Sequence, residues 1–258
     1  MRNKRRIWNP RFLLVFYLLL LSARVDAEEL SVCYDASFLF KIGESCISYE
    51  IKDDNVLLVE SNQQTTGVLD MFHHIEQKVS AEVSLRPFES IYLFFYEKNE
   101  HKTMTHHYFF NDKIKYSSNS YRYKNKRYKT AKKVFDKKNV LDPTAAVMYI
   151  QLQDLPSGKG KLTSFFEGKY VDISYKQVGQ KAIEFNEEKF RCRVIDFKIP
   201  VGTSSVVTPT GVWRIYIDEK TGIILRLELK FPLGHAKLTP VSITGDRDLL
   251  KNYITKGL

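Results

Sequence analysis

The stretch Ile223-Ile224-Leu225-Arg226-Leu227-Glu228-Leu229-Lys230-Phe231 decides the fold. Ile223, Leu225, Leu227, Leu229 and Phe231 fall on one side of a two-residue repeat; Arg226, Glu228 and Lys230 fall on the other. That period marks a strand with one buried and one wet face. Just upstream, Trp213, Ile215 and Ile217 keep the same period, and Asp218-Glu219-Lys220-Thr221-Gly222 lies between as a turn. The pair predicts an antiparallel hairpin with Trp213, Ile215, Leu225 and Leu227 on one buried face.

Working outward, Val171, Ile173 and Tyr175 repeat the alternation after a turn at Glu167-Gly168-Lys169. In the run 190–199 the phase changes: Phe190, Cys192 and Val194 share one face, then Ile195, Phe197 and Ile199 take over. A bulge or corner in a sharply curved sheet accounts for that. Ile91 to Tyr96 is apolar at every position, so this strand is covered on both faces or lines a cavity. One helix stands out. Asp142 is its N-cap, Pro143 its first residue, and Ala145, Met148, Leu152 and Leu155 follow at helical spacing until Pro156-Ser157-Gly158 stops it. The stretch 68–80 suits either a helix through Leu69, Phe72, Ile75 and Val79 or an interrupted strand, and Asp248 to Tyr253 suits a short terminal helix. The expected fold is mainly β: a curved antiparallel sheet or half-open β-barrel with one packed helix at about 143–155.

The N-terminus reads as an address. Arg2, Lys4, Arg5, Arg6 and Arg11 precede the apolar run Phe12 to Leu21, and Val25-Asp26-Ala27 ends the stretch. This is the pattern of a secretory signal cut after Ala27, and the apolar run is about half of the ~20 residues a membrane span needs. The organisation is then a signal peptide at 1–27 and a single β-rich domain at 28–258, localised to the periplasm or cell envelope. Apolar residues at 43% and charged residues at 27% exclude a disordered chain. Whole-chain charge is +10, but the leader takes six basic residues and one acidic with it, which leaves +5 over 231 residues. A nucleic-acid partner is therefore not expected.

The order of the later motifs resembles a known family. Leu141-Asp142-Pro143-Thr144-Ala145-Ala146 opens the helix, Ser157-Gly158-Lys159-Gly160 turns, and a strand pair crosses Glu167-Gly168-Lys169. A strand with Phe190 and Cys192 follows, then Gly211-Val212-Trp213, then Phe231-Pro232-Leu233-Gly234. Over about residues 40–245 this resembles the exported bacterial domain of unknown function numbered three-one-zero-eight. The family commonly has Ser or Leu-Ser where this chain has Thr144-Ala145, and Arg after the helix where this chain has Gln151 or Gln153. The resemblance implies a periplasmic β-rich domain like the half-open barrels of lipoprotein carriers, and it supplies no catalytic residues.

Three features bear on function. From Lys113 to Lys138 eleven basic residues face one acid, with Tyr116, Tyr121, Tyr123 and Tyr128 interleaved. The segment reads as a hairpin across Lys124-Asn125-Lys126-Arg127. Outside the cytoplasm its polyanions are phospholipid headgroups, lipopolysaccharide and acidic polymers, so Arg122, Lys124, Lys126, Arg127, Lys129, Lys132 and Lys133 are candidates for contact with an anionic surface; a merely solvated hairpin is the competing reading. Aromatic residues cluster at 91–96, 108–110, 116–128 and 165–175. Tyr92, Phe94, Tyr96, Tyr108, Phe110 and Trp213 are the candidates for an apolar ligand groove, against which stands a filled core. Cys33 and Cys46 are positioned to close a short disulfide loop in an oxidising compartment, and Cys192 reads as a buried inert thiol.

Catalysis has no signature here. Gly-x-Ser-x-Gly is absent, Asp53-Asp54 and Glu187-Glu188 are turn carboxylates, and the pairs His73-His74 and His106-His107 lack metal-ligand spacing. Adjacent strand histidines point to opposite faces, so each pair supplies at most one ligand. No cofactor and no metal are expected. The expectation is a non-enzymatic exported protein that binds a lipid, an acyl chain or an envelope glycan; alternatives are a module that docks to an envelope protein partner, and a hydrolase with an unrecognised site.

Overall fold

Among the described residues the alternating runs form fifteen strands of one sheet, β8-β7-β6-β5-β4-β3-β2-β1-β15-β14-β13-β12-β11-β10-β9 in spatial order. A computed structural model describes residues 29–53, 55–137, 139–153, 158–198, 212–231 and 234–254. Residues 1–28, Asp54, Lys138, Leu155, Pro156, Ser157, Ile199, Gly211, Pro232 and Leu233, on which some of the expectations fall, lie outside them. The strands are β1 Glu29–Ser37, β2 Lys41–Asp53, β3 Val56–Thr65, β4 Ile75–Leu85, β5 Phe88–Asn99, β6 Lys102–Phe110, β7 Lys113–Arg122, β8 Arg127–Asp136, β9 Val140–Leu141, β10 Lys159–Phe166, β11 Lys169–Phe185, β12 Glu188–Lys198, β13 Trp213–Asp218, β14 Ile224–Phe231 and β15 Gly234–Gly245. Helix α1 spans Gly67–Phe72 and α2 spans Pro143–Leu152. All pairings are antiparallel except β9 with β10. The sheet is open, with β8 and β9 at its edges, so the fold is the curved sheet of a half-open barrel around a packed helix.

Helix α2 fills the concave side. Ala145, Ala146, Met148, Ile150 and Leu152 are all buried. Met148 and Leu152 join a cluster with Leu30, Tyr49, Leu57, Phe190 and Leu225, while Ala146 and Ile150 join one with Ile195, Phe197, Ile215 and Ile217. An almost uniformly apolar helix is stable only when covered all round. Its start follows the expected cap: Asp142 Oδ1 accepts from the N–H groups of Thr144 (2.8 Å) and Ala145 (3.0 Å). It ends at Leu152, short of the expected 155. The Arg193 guanidinium of β12 donates to the carbonyls of Ile150 (3.1 Å), Gln151 and Gln153 (2.7 Å), satisfying the orphan acceptors of the last turn.

Four local expectations are refined. The phase change in β12 arises because Cys192 to Ile195 is buried on both faces; the bulge lies in its neighbour β11, between Gln177 and Gly179. The ambiguous stretch 68–80 splits into α1 and the first half of β4. The terminal turn is a 3-10 helix at Lys251–Tyr253. In the hairpin of β13 and β14, Ile215 faces Leu227 and Trp213 faces Leu229, and a register shift after Tyr216 sends Leu225 into the first cluster.

Candidate anionic docking site

Strand register sorts the candidate residues into two faces. Across β5, β6, β7 and β8 one row runs Tyr92, Phe109, Lys115, Val134, and the next runs Phe94, His107, Ser117, Lys132. Both lie on the outer face. Phe109 and Val134 are exposed, and Tyr92, Phe94, Tyr96 and His107 are half-buried. Ring pairs tie the patch together: Tyr92 to Phe109 at 5.0 Å and Phe94 to His107 at 5.0 Å between centroids.

The inner row is different. Tyr49, Val59, Ala81, Leu93 and Tyr108 follow one another across five strands, and all are buried. Tyr108 and Phe110 belong to a filled core with Phe165, Ile114 and Val140. The tip of the β10–β11 hairpin plugs this half of the concave side. Its Glu167 N–H donates to the Tyr108 hydroxyl at 3.0 Å, and Phe165 packs on Phe135 at 4.9 Å. The single groove expected from Tyr92, Phe94, Tyr96, Tyr108, Phe110 and Trp213 is therefore not assembled. Alternation turns Tyr92, Phe94 and Tyr96 outward, Tyr108 and Phe110 are core, and Trp213 packs on Phe197 at 5.6 Å, fifteen-strand order placing it far from β5.

The basic segment is a hairpin. β7 and β8 pair from Lys113↔Asp136 to Arg122↔Arg127, and the turn occupies 123–126 with Lys126 at φ 49°. Arg122, Lys124, Lys126, Arg127, Lys129, Lys132 and Lys133 are all exposed. Among the described residues none of the seven is ion-paired, whereas Lys41, Lys52, Lys102 and Lys137 each hold a carboxylate. Tyr121, Tyr123 and Tyr128 stand exposed among them, while Tyr116 packs against the core beneath. Strand β8 is also a sheet edge, and its lysines discourage unwanted strand addition.

Histidines and cysteines take separate roles. His106 faces inward, stacked 5.8 Å from Tyr116, whose hydroxyl lies 2.9 Å from His106 Nδ1; its Nε2 has no partner. Burial lowers its pKa, with Lys102 adding to the effect. His73 pairs with Glu100 and His74 with Asp70, both at 2.7 Å. Among the described residues no three His, Cys, Asp or Glu converge as a metal site. Cys33 and Cys46 face each other across β1 and β2 and are disulfide-bonded. Cys192 is free and buried, its thiol pushed up to about 12 by desolvation first and Asp218 second. Sequence reasoning did not single out the exposed apolar residues at one end of the sheet, Leu39, Phe40, Val68, Met71 and Phe72; their sequence signal was the apolar run 38–40 and the mainly apolar stretch 68–72.

In fold, the chain is similar to a beta-barrel-like protein of the domain of unknown function DUF1849 from Brucella abortus. The TM-score is 0.55 at 10% identity, over 85% of this chain and 98% of that one. No family model and no curated protein matches the chain.

Proposed function

We propose that this is a non-enzymatic exported protein of the bacterial envelope that binds an anionic lipid or polymer surface through the β7–β8 hairpin. The observation that carries the reading is the set of seven exposed, unpaired cations from Arg122 to Lys133, with tyrosines among them and an aromatic outer face beside them. Unpaired cations gain most from an anionic surface because no existing ion pair has to break; each contributes about 1 kcal/mol near an anionic membrane. The filled concave side argues for a ligand held on the surface rather than an acyl chain enclosed within. Export, the periplasmic location and membership of the three-one-zero-eight family are part of the same reading, supported by the leader pattern and the motif order.

Binding to vesicles tests it. The protein is expected to associate with vesicles rich in phosphatidylglycerol at low salt and to ignore neutral ones. Replacing Lys124, Lys126, Arg127 and Lys129 with Gln should weaken association at least about a hundredfold, since four contacts of about 1 kcal/mol are removed. A soluble polyanion such as polyphosphate separates the two sources: competition by it at equal charge favours a polymer, and its failure to compete favours lipid. A wild-type protein that ignores both at low salt rejects the reading. The second reading, a protein partner added at an edge, rests on β8 being paired on one side only. A proline at Thr130 should then abolish capture of that partner and leave vesicle binding intact.

A further inference from the structure

We infer that the end of the sheet carrying Leu39, Phe40, Val68, Met71 and Phe72 inserts into an anionic lipid bilayer, with the β7–β8 turn seated on the headgroups beside it. The inference rests on the proposed anionic docking and identifies its partner as a bilayer, met end-on.

Topology brings these residues together. From β1 to β8 each strand is antiparallel to the next, so the connections β1–β2, β3–β4, β5–β6 and β7–β8 all leave at one end. Leu39 and Phe40 are the β1–β2 turn; Val68, Met71 and Phe72 are on α1, in the β3–β4 connection. A chain of bonds holds this end as one rim. Thr66 N–H donates to the Ile42 carbonyl at 3.1 Å, His73 reaches Glu100 at 2.7 Å, Tyr123 N–H donates to the His101 carbonyl at 3.0 Å, and the Thr103 and Tyr123 hydroxyls are bonded. The rim therefore passes from the apolar turn, through α1, to the basic turn Lys124-Asn125-Lys126.

Exposure is what needs explaining. Leu39 is 85% exposed, Met71 81% and Phe72 73%, and α1 buries none of its residues. Single exposed apolar residues are ordinary, but here five fall on two neighbouring connections at one end of the sheet, a grouping that marks an interaction surface. Charge chooses the partner. Each carboxylate of the apolar half lies against a basic side chain, Asp35 and Glu44 against Lys41, Asp70 against His74 and Glu100 against His73. Among the described residues Lys124, Lys126 and Arg127 of the β7–β8 turn are exposed and hold no carboxylate, and Tyr121, Tyr123 and Tyr128 flank them. Apolar tips beside tyrosines and unpaired cations match the layers of an anionic bilayer surface: hydrocarbon edge, interface and headgroup.

The test uses the exported full chain and a triple variant, Leu39→Ser, Met71→Ser and Phe72→Ser. All three positions are exposed, so unchanged circular dichroism is expected. On phosphatidylglycerol vesicles the triple variant should bind at least about tenfold more weakly, because its apolar contacts are gone. In about 0.5 M salt, where screening shortens to roughly 4 Å, wild type should keep a residual affinity that the variant lacks. A Phe72→Trp variant should be quenched by brominated acyl chains, and a Tyr92→Trp control should not. Wild-type binding that the triple variant matches, or that 0.5 M salt abolishes in both, overturns the inference while leaving electrostatic docking standing. A wild type that ignores anionic vesicles overturns both. A wild-type dimer that the triple variant breaks, without vesicle binding, assigns the rim to a second copy of the chain and also overturns the inference.

Discussion

The Glu167 backbone N–H donates to the Tyr108 hydroxyl at 3.0 Å, joining the tip of the β10–β11 hairpin to the C-terminal end of β6. The two residues are 59 apart in sequence, and their bond lies where the open sheet folds over its own concave face. Burial raises the Tyr108 pKa, so the phenol stays neutral. Tyr108→Phe removes the acceptor and leaves a half-buried N–H without it, at an expected cost of about 1–3 kcal/mol. Tyr108→Ala also opens the aromatic cluster and should cost about 3–5 kcal/mol. Urea unfolding reads both; a Phe variant as stable as wild type would show that water replaces the bond.

Leu225 and Arg226 are neighbours with different surroundings. Leu225 is fully buried, so Leu225→Ala should cost about 2–5 kcal/mol. The alternation alone makes Arg226 a solvated residue whose loss would change little. Instead its guanidinium lies 5.5 Å from the Tyr216 ring centroid and it is half-buried. Arg226→Ala should therefore cost about 1 kcal/mol from the lost ring contact and stem packing. Equal effects at 225 and 226 would contradict the register.

What could be read in the sequence follows the range of each interaction. The β13–β14 hairpin and the start of α2 are local: alternation and the Asp142-Pro143 pair suffice. Ile91 to Tyr96 defeated face assignment because every position is apolar, and only pairing with β6 turns Leu93 inward and Tyr92, Phe94 and Tyr96 outward. The plugged groove depends on Phe165 and Phe166 meeting β5 to β8, a contact that no spacing announces. The rim likewise needs the β2–β3 register to bring Leu39 beside α1. By contrast, the cations of 122–133 were visible because charge density needs no partner to be counted.

Acid should weaken the fold through His106. Its pKa lies below the ordinary 6.5 in the folded state because of burial and Lys102, while Glu97 opposes and His107 adds to the lowering. The unfolded chain then binds more protons below about 6.5, so this contribution is complete above that pH and is lost as pH falls through the window beneath it. His106→Gln should flatten the dependence of the denaturation midpoint between about pH 7 and 5. A variant with the wild-type slope would place the acid sensitivity elsewhere.

Reduction of the Cys33–Cys46 bond should destabilise the protein without exposing Cys192. The bond closes a separation of 13 residues, and on the chain-entropy account such a loop contributes about 3 kcal/mol by restricting the unfolded chain. Cross-strand pairing of β1 and β2 already holds the two residues opposite each other, so the folded sheet should persist after reduction. Thermal melts with and without reductant are expected to differ while the far-ultraviolet spectra at 20 °C, roughly room temperature, coincide. Thiol labelling gives the second reading. Cys192 is fully buried with its thiol pushed up to about 12, so it should react only on unfolding. Double Ser replacement at 33 and 46 should reproduce the melt of the reduced protein; if it melts with the oxidised wild type, the bond contributes nothing to stability.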